Sequence, residues 1–344
     1  FIKTPRINTK GIDTSAIFGF TNTLNEVIRK EKPSHIAVVF DRSVPTERHI
    51  AYPEYKANRD SMPDGIKEAL PYIDRLLEAF NITKLYKDGY EADDVIGTLA
   101  KKAEKNGFKT FMMTSDKDFA QLVSENIFMY RPGNKWTPTN VWGVPEVLKK
   151  FGVKRVEQVI DFLGMMGDSA DNIPGIPGVG EKTAQKFINQ FDSMEGLFDN
   201  AHNLTGKMKE TIESSKEIGM LCKKLVTIIT DVPIGFEEEN LRYKAIDLKK
   251  TSILFQELEF KNLLQRMLAN TTPKTQNDFD KNVSEEPKTS AQFDLFSQPQ
   301  KHAFVQAIKN SFYFVDDIKQ TNDIIRKIIK YKYSFSFYLI AEPL

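Results

Sequence analysis

His35-Ile36-Ala37-Val38-Val39-Phe40-Asp41 is a short apolar, β-branched run that closes on a carboxylate. A run this short and this uniformly apolar predicts a strand buried on both faces, as in a parallel sheet. Ahead of it, Thr21 to Lys32 carries Leu24, Val27 and Ile28 at helical spacing and stops before Pro33. Behind it the pattern repeats: a helix over Tyr90 to Asn106, Gly107 at its C-terminal end, then a second apolar strand, Phe108 to Met113, leading to Asp116. Alternating strands and helices predict a parallel α/β sheet, whose functional residues gather outside the carboxyl ends of its strands. Asp41 and Asp116 both fall there. A right-handed βαβ unit needs a strand ahead of the helix at Thr21 to Lys32. Phe1 to Asp13 offers only polar, Lys- and Thr-containing sequence, so the first domain is expected to begin before Phe1.

The carboxylates along this edge form four groups: Asp41; Glu91, Asp93 and Asp94; Asp116 and Asp118; Asp168 and Asp171. Without His or Cys nearby, such a set favours hard, oxygen-seeking ions, magnesium or manganese above zinc. Two ions close together can activate water and stabilise the leaving oxygen of a phosphodiester. Each group alone also has an ordinary reading, because acidic residues at helix starts cap the helix and suit its dipole. Their convergence on the ligand-binding edge gives the metal reading its weight.

The 344 residues predict more than one domain, and 40% hydrophobic content is enough for a sizeable core. No apolar run is long enough to cross a bilayer, and no signal peptide opens the chain. Cys222 is the single cysteine, which excludes an internal disulfide and a cysteine zinc site and fits a cytoplasmic setting. The net charge of +1 excludes a uniformly basic nucleic-acid binder. Any nucleic-acid site must separate acidic from basic residues. Arg42, Arg48, Lys56 and Arg59 do cluster with Tyr52 and Tyr55, a mixture suited to gripping phosphates and stacking bases of a single strand. A solvated helix face is the plainer reading of such a run.

From Ile160 to Asn270 the pattern is mostly helical, broken by Ile173-Pro174-Gly175-Ile176-Pro177-Gly178-Val179-Gly180. Gly178-Val179-Gly180 before Glu181-Lys182-Thr183-Ala184 reads as a helix–hairpin–helix, whose turn lets backbone amides approach a phosphate. It could equally just join two helices. The expected organisation is an α/β domain over 1–170, a helical subdomain over 171–269, a polar, disordered linker over 270–300 and a further unit over 301–344.

Five ordered motifs carry a resemblance: Phe40-Asp41, Tyr90-Glu91-Ala92-Asp93-Asp94, Thr114-Ser115-Asp116-Lys117-Asp118, Gly167-Asp168-Ser169-Ala170-Asp171-Asn172 and Gly178-Val179-Gly180-Glu181-Lys182-Thr183-Ala184. In this order they resemble the 5′-nuclease family of bacterial DNA polymerase I domains, flap endonucleases and phage 5′-exonucleases, over roughly Lys10 to Met267. The resemblance implies a PIN-like domain followed by a helix–three-turn–helix. It implies magnesium or manganese, as two ions, on Asp41, Glu91, Asp93, Asp94, Asp116, Asp118, Asp168 and Asp171. Glu91, Asp93 and Asp116 would lie nearest the scissile phosphate, with Asp41, Lys56 and Arg59 completing the catalytic set.

The resemblance further implies an arch near Arg42, Arg48, Tyr52 and Tyr55 that receives a 5′ single strand, and duplex contacts at Gly178, Gly180, Lys182 and Thr183 with a potassium ion. The family also has a carboxylate ending a first strand that these residues do not include. The expected partner is branched or nicked double-stranded DNA with a 5′ flap, handled by a monomer at the bacterial nucleoid. The rival reading is a non-catalytic module that binds branched DNA without cutting it. A flap nuclease without a polymerase is a nearer alternative.

Gln292-Phe293-Asp294-Leu295-Phe296 resembles a pentapeptide that docks on the sliding clamp, with Gln292, Leu295 and Phe296 as its anchors. These residues could instead fold back on a neighbouring domain. Beyond His302 the chain resembles the start of a proofreading-exonuclease-like domain. A strand over Ser311 to Val315, a helix over Asp317 to Lys330 and a strand over Ser334 to Ile340 are expected there, the last without the acidic pair of an active proofreader.

Overall fold

The computed structural model describes residues 5–133, 138–271 and, by backbone alone, 334–338. The expected linker, its clamp peptide at Gln292, Leu295 and Phe296, and the elements over 311–330 lie outside the described residues. The chain divides into one large unit, residues 1–266 with 333–344, and a segment over 267–332 of which only the end of a helix is described.

In chain order the elements are α1 (Ser15–Glu31), β1 (His35–Val39), α2 (Glu47–Ala51), α3 (Asp64–Ala79), β2 (Thr83–Leu85), α4 (Ala92–Lys105), β3 (Lys109–Met113), β4 (Ile127–Arg131), β5 (Asn140–Trp142), α5 (Val144–Phe151), α6 (Gln158–Met166), α7 (Glu181–Phe191), α8 (Met194–Asp199), α9 (Gly206–Ser214), α10 (Lys216–Val226), α11 (Glu238–Leu241), α12 (Leu248–Glu257), α13 (Lys261–Thr271) and β6 (Ser334–Tyr338). A short 3-10 helix, Lys117–Leu122, follows β3.

The apolar run at His35 is a strand buried at every position. Each fully buried Val or Ile there contributes about 1.5–3 kcal/mol relative to exposure. The sheet runs β2-β1-β6-β3-β4-β5, parallel throughout except for the antiparallel β4–β5 pair. The helix ahead of β1 starts at Ser15, six residues before the expected Thr21, because buried Ile17 and Phe20 extend the apolar stripe of Leu24 and Val27 toward the N-terminus.

Ahead of α1 the described residues form only an isolated bridge, Ile7 to Asp13. The sheet position between β1 and β3 is held by β6, whose backbone pairs His35 with Phe335 and Lys109 with Ser334. The sequence reading placed Ser334 to Ile340 in a third unit, whereas Ser334–Tyr338 stands in this sheet. A gap in the centre of a parallel sheet would leave two rows of peptide groups unpaired, and an extended aromatic-rich segment satisfies them.

Candidate active site

Asp41 follows β1 directly, and its Oδ1 accepts a 2.7 Å hydrogen bond from the backbone N–H of Ala92, the first residue of α4. One carboxylate thereby ties the end of β1 to the start of the helix that is capped by Glu91 and carries Asp93 and Asp94, and the helix dipole favours that contact. Asp116 follows β3 and caps the next turn, accepting from Asp118 N–H at 2.9 Å. The fourth group is held by a tight loop in which Asp168 and Ile173 bridge each other. Gly167 makes this loop possible. Its φ is +74°, and a Cβ there would fall 2.5 Å from the carbonyl oxygen of Ile173.

The electrostatics follow from this crowding. Burial, then the negative charges of Asp116, Glu91 and Asp41, push the Asp93 carboxyl well above its ordinary range. Asp118 is raised for the same reasons, with burial first and Asp116 and Asp168 next. Its Oδ1 is buried without a hydrogen-bond partner among the described residues. Asp41 is also raised, chiefly by burial, with the Ala92 N–H opposing. Every donor in the set is a carboxylate oxygen, and a buried, unpartnered one is a position that a hard cation satisfies. The carboxylates do not close into a finished cage: among the described residues no three His, Cys, Asp or Glu side chains stand together as one.

Lysine and arginine occupy much of the remaining space. Lys56 Nζ lies 3.0 Å from Glu91 and 3.8 Å from Asp171, while Arg59 donates to Asp171. Lys117 Nζ lies 2.8 Å from Asp168. Lys56 is held with φ +57°, a left-handed conformation that costs a lysine about 1–3 kcal/mol. Its N–H donates to the carbonyl of Asp171, Asn58 donates to the carbonyl of Ser169, and Asn172 donates to the carbonyl of Glu54. These bonds fasten the basic segment after α2 to the Asp168 loop.

Three expected site residues have other work in the structure. Asp94, expected as a metal ligand, is fully buried, and both of its oxygens take 2.7 Å hydrogen bonds from Arg48. It also accepts from Ile229 N–H and Glu91 N–H. Arg48, expected at the DNA, is 7% exposed and donates further to the carbonyls of Leu225 and Thr227. Burial alone would lower its pKa, but Asp94 and Glu91 raise it instead. The pair is a structural cross-link between α2, α4 and the segment after α10. Tyr55, expected to stack on bases, is 3% exposed and donates its hydroxyl to Glu91 and Asp171.

The remaining expected residues are more open. Arg42 is exposed, paired with Asp88 and lying over the Tyr86 ring. Tyr52 lines a cleft of about 620 Å³ with Asn58, Lys117, Asp168 and Asn172. Gly178, Gly180 and Lys182 are exposed, Thr183 half-buried, and Gly178 has φ +76° with open space where a Cβ would stand. Asn58, Asn172 and Lys117 received no role from the sequence. The last two stand inside the acidic motifs, so position was the available signal.

The parallel sheet with its carboxylate-lined edge, joined to a helical module with a glycine-rich turn, defines the PIN-like class of nucleases. The chain belongs to the 5′-3′ exonuclease family: its N-terminal resolvase-like domain matches residues 1–152 and its C-terminal SAM fold matches residues 154–249. The chain is 40% identical over 267 residues to a 5′-3′ exonuclease of Aquifex aeolicus, covering 78% of this chain and 90% of the relative. It is 38% identical over 293 residues to DNA polymerase I of Bacillus subtilis, covering 85% of this chain but only 33% of that protein, so it spans about a third of such relatives. The flap endonuclease of bacteriophage T5, solved as a pseudo-enzyme–product complex with DNA and metal ions, shares the fold with a TM-score of 0.54. That match has 19% identity and covers 77% of this chain and 93% of the T5 chain. No described helix is long and apolar enough to cross a membrane.

Proposed function

We infer that the chain is a structure-specific 5′-nuclease that hydrolyses phosphodiesters at 5′ flaps and nicks in double-stranded DNA, for primer removal and repair. The observation that carries this reading is the gathering of Asp41, Glu91, Asp93, Asp116, Asp118, Asp168 and Asp171 with Lys56 and Arg59 at one edge of the sheet. The carboxylates supply oxygen ligands for two magnesium or manganese ions, and the strained charges of Asp93 and Asp118 are what such ions would relieve. When bound, the ions polarise the phosphodiester and make attack by water easier. Lys56 and Arg59 balance charge that grows on the phosphate oxygens. Gly178, Gly180, Lys182 and Thr183 grip the duplex backbone at the start of α7, with a potassium ion as a further ligand proposed for that turn. The protein acts as a monomer at the bacterial nucleoid, as part of a longer DNA polymerase I, with the sliding clamp as a partner of Gln292, Leu295 and Phe296.

The test compares labelled 5′-flap, 3′-flap and unbranched duplexes in magnesium. The expected result is cutting of the 5′ flap near its junction, with little action on the other two. Binding of the 5′ flap without cutting would leave the non-catalytic module as the better reading.

A pH-dependent result follows from the same carboxylates. Asp41, Asp93 and Asp118 have folded pKa values above their unfolded ones. Without a divalent ion, the stability they contribute is full below the ordinary carboxylate range and is lost as pH rises through the folded values. An ion that binds only the ionised groups reverses this. Magnesium is therefore expected to raise the melting temperature more at about pH 8 than at about pH 5.5. Equal shifts at both, by calorimetry, would count against these ligands.

A further inference from the structure

The cleft of about 620 Å³ beside the acidic edge is lined by Tyr52, Asn58, Lys117, Asp168, Asn172 and Pro174, among others. That is ample for one nucleotide of a DNA strand. Among the described residues on its wall, Lys117 is the one basic side chain. Lys117 stands between Asp116 and Asp118 in sequence and opens the turn after β3. Its Nζ lies 2.8 Å from Asp168 Oδ2, and its side chain is 39% exposed.

Asp168 has two backbone partners in its own loop, Ala170 and Asp171, and one side-chain partner, Lys117. Oδ1 accepts from Ala170 N–H at 2.8 Å, and Oδ2 faces Lys117. The backbone bonds are fixed by the loop, so Lys117 is the partner that a cation recruited to Asp168 would displace. The Lys117 side chain is 39% exposed and that of Asp168 only 16%, so the lysine end of the pair is the one open to exchange with another anion. Lysine is also the residue type suited to it: a compact charge on a flexible four-carbon stem that can swing without breaking a paired fork. Arg59 and Lys56 are bound into the opposite carboxylates, Asp171 and Glu91, and their segment is fastened by backbone hydrogen bonds. The turn that carries Lys117 is tied to the rest of the fold through Ser115, Gln121 and Leu122, while the Lys117 side chain itself pairs with Asp168.

Resting on the nuclease reading above, we propose that Lys117 is an exchangeable phosphate-binding residue: it neutralises Asp168 in the free protein and transfers to a phosphate of the DNA strand in this cleft when Asp168 takes a divalent cation. One side chain thereby serves two anions in turn, which makes its loss act oppositely on metal and on DNA. Removing it frees Asp168, which strengthens divalent-ion binding to the protein alone. Removing it also deletes one phosphate contact, which weakens DNA binding and lowers its salt dependence.

The experiment uses the full chain as wild type, Lys117→Ala and Lys117→Arg. Manganese binding to the protein without DNA is measured by titration calorimetry. Binding of a 5′-flap duplex is measured by fluorescence anisotropy in calcium across a series of salt concentrations, so that turnover does not interfere. Lys117→Ala is expected to bind manganese more tightly and the flap roughly five-fold more weakly, with the salt slope reduced by about one counterion. Lys117→Arg is expected to recover the flap affinity. Tighter manganese binding with unchanged flap affinity and salt slope would overturn the proposal, leaving Lys117 as a counter-ion of Asp168. No change in either measurement would overturn it as well. Failure of the wild type to bind the flap would instead sink the nuclease reading on which the proposal rests.

Discussion

Lys56→Ala should slow 5′-flap cutting by about 10²–10³-fold in single-turnover assays, while flap binding in calcium changes far less. The backbone of Lys56 is held at φ +57° by the bond from its N–H to Asp171, and its side chain is 19% exposed. The structure spends local strain to hold this ammonium 3.0 Å from Glu91 and above the ring of Tyr55. A charge fixed in advance beside the reacting phosphate stabilises the transition state without reorganising, which is why the loss should fall on rate more than on affinity. The neighbouring Arg59 cannot replace it, because its own guanidinium is committed to Asp171. A Lys56→Ala protein that cuts within a few-fold of wild type would remove Lys56 from the catalytic set.

Asp94→Ala should lower the stability of the fold by about 3–5 kcal/mol, the usual result of stranding one member of a buried ion pair. For a unit of this size the melting temperature should fall by about 10 °C. The loss has three parts. Arg48 keeps its charge in a buried site, Ile229 N–H loses its acceptor, and the first turn of α4 loses the Asp94 bond to Glu91 N–H. Glu91, 3.8 Å from Arg48, can recover only a little, and at the cost of its contact with Lys56. Arg48→Met combined with Asp94→Leu should be less damaging than Asp94→Ala, since no charge is left unpaired. It should not equal wild type, because the carbonyls of Leu225 and Thr227 lose their donor. A melting temperature unchanged by Asp94→Ala would return Asp94 to the list of metal ligands.

The strand at His35 was legible because burial on both faces writes an unbroken apolar run, the strand at Lys109 because its apolar end, Phe111 to Met113, follows a helix closed by Gly107, and the carboxylates after them because a parallel sheet binds at that edge. β2 and β5 escaped, each being three residues long and partly exposed, too short for a period to register. The direction in which Arg48 faces was not legible either. It sits in a five-residue helix, and its partners Asp94, Leu225 and Thr227 are distant in sequence. Tyr55 failed for a related reason, since aromatic residues among cations suit both a stacking surface and a buried hydroxyl, and only the fold distinguishes the two. The chain order of the sheet was beyond reach: nothing in Ser334–Tyr338 says that it pairs with β1 and β3.

The most direct test of the central claim is single-turnover cutting of a 5′-labelled flap by the wild-type chain and by Asp116→Ala, each in magnesium and in excess chelator. The expected result is cutting near the junction by the wild type in magnesium alone, with Asp116→Ala inactive under both conditions yet still folded and still binding the flap. Cutting that survives the chelator, or that persists in Asp116→Ala at the wild-type rate, would contradict it.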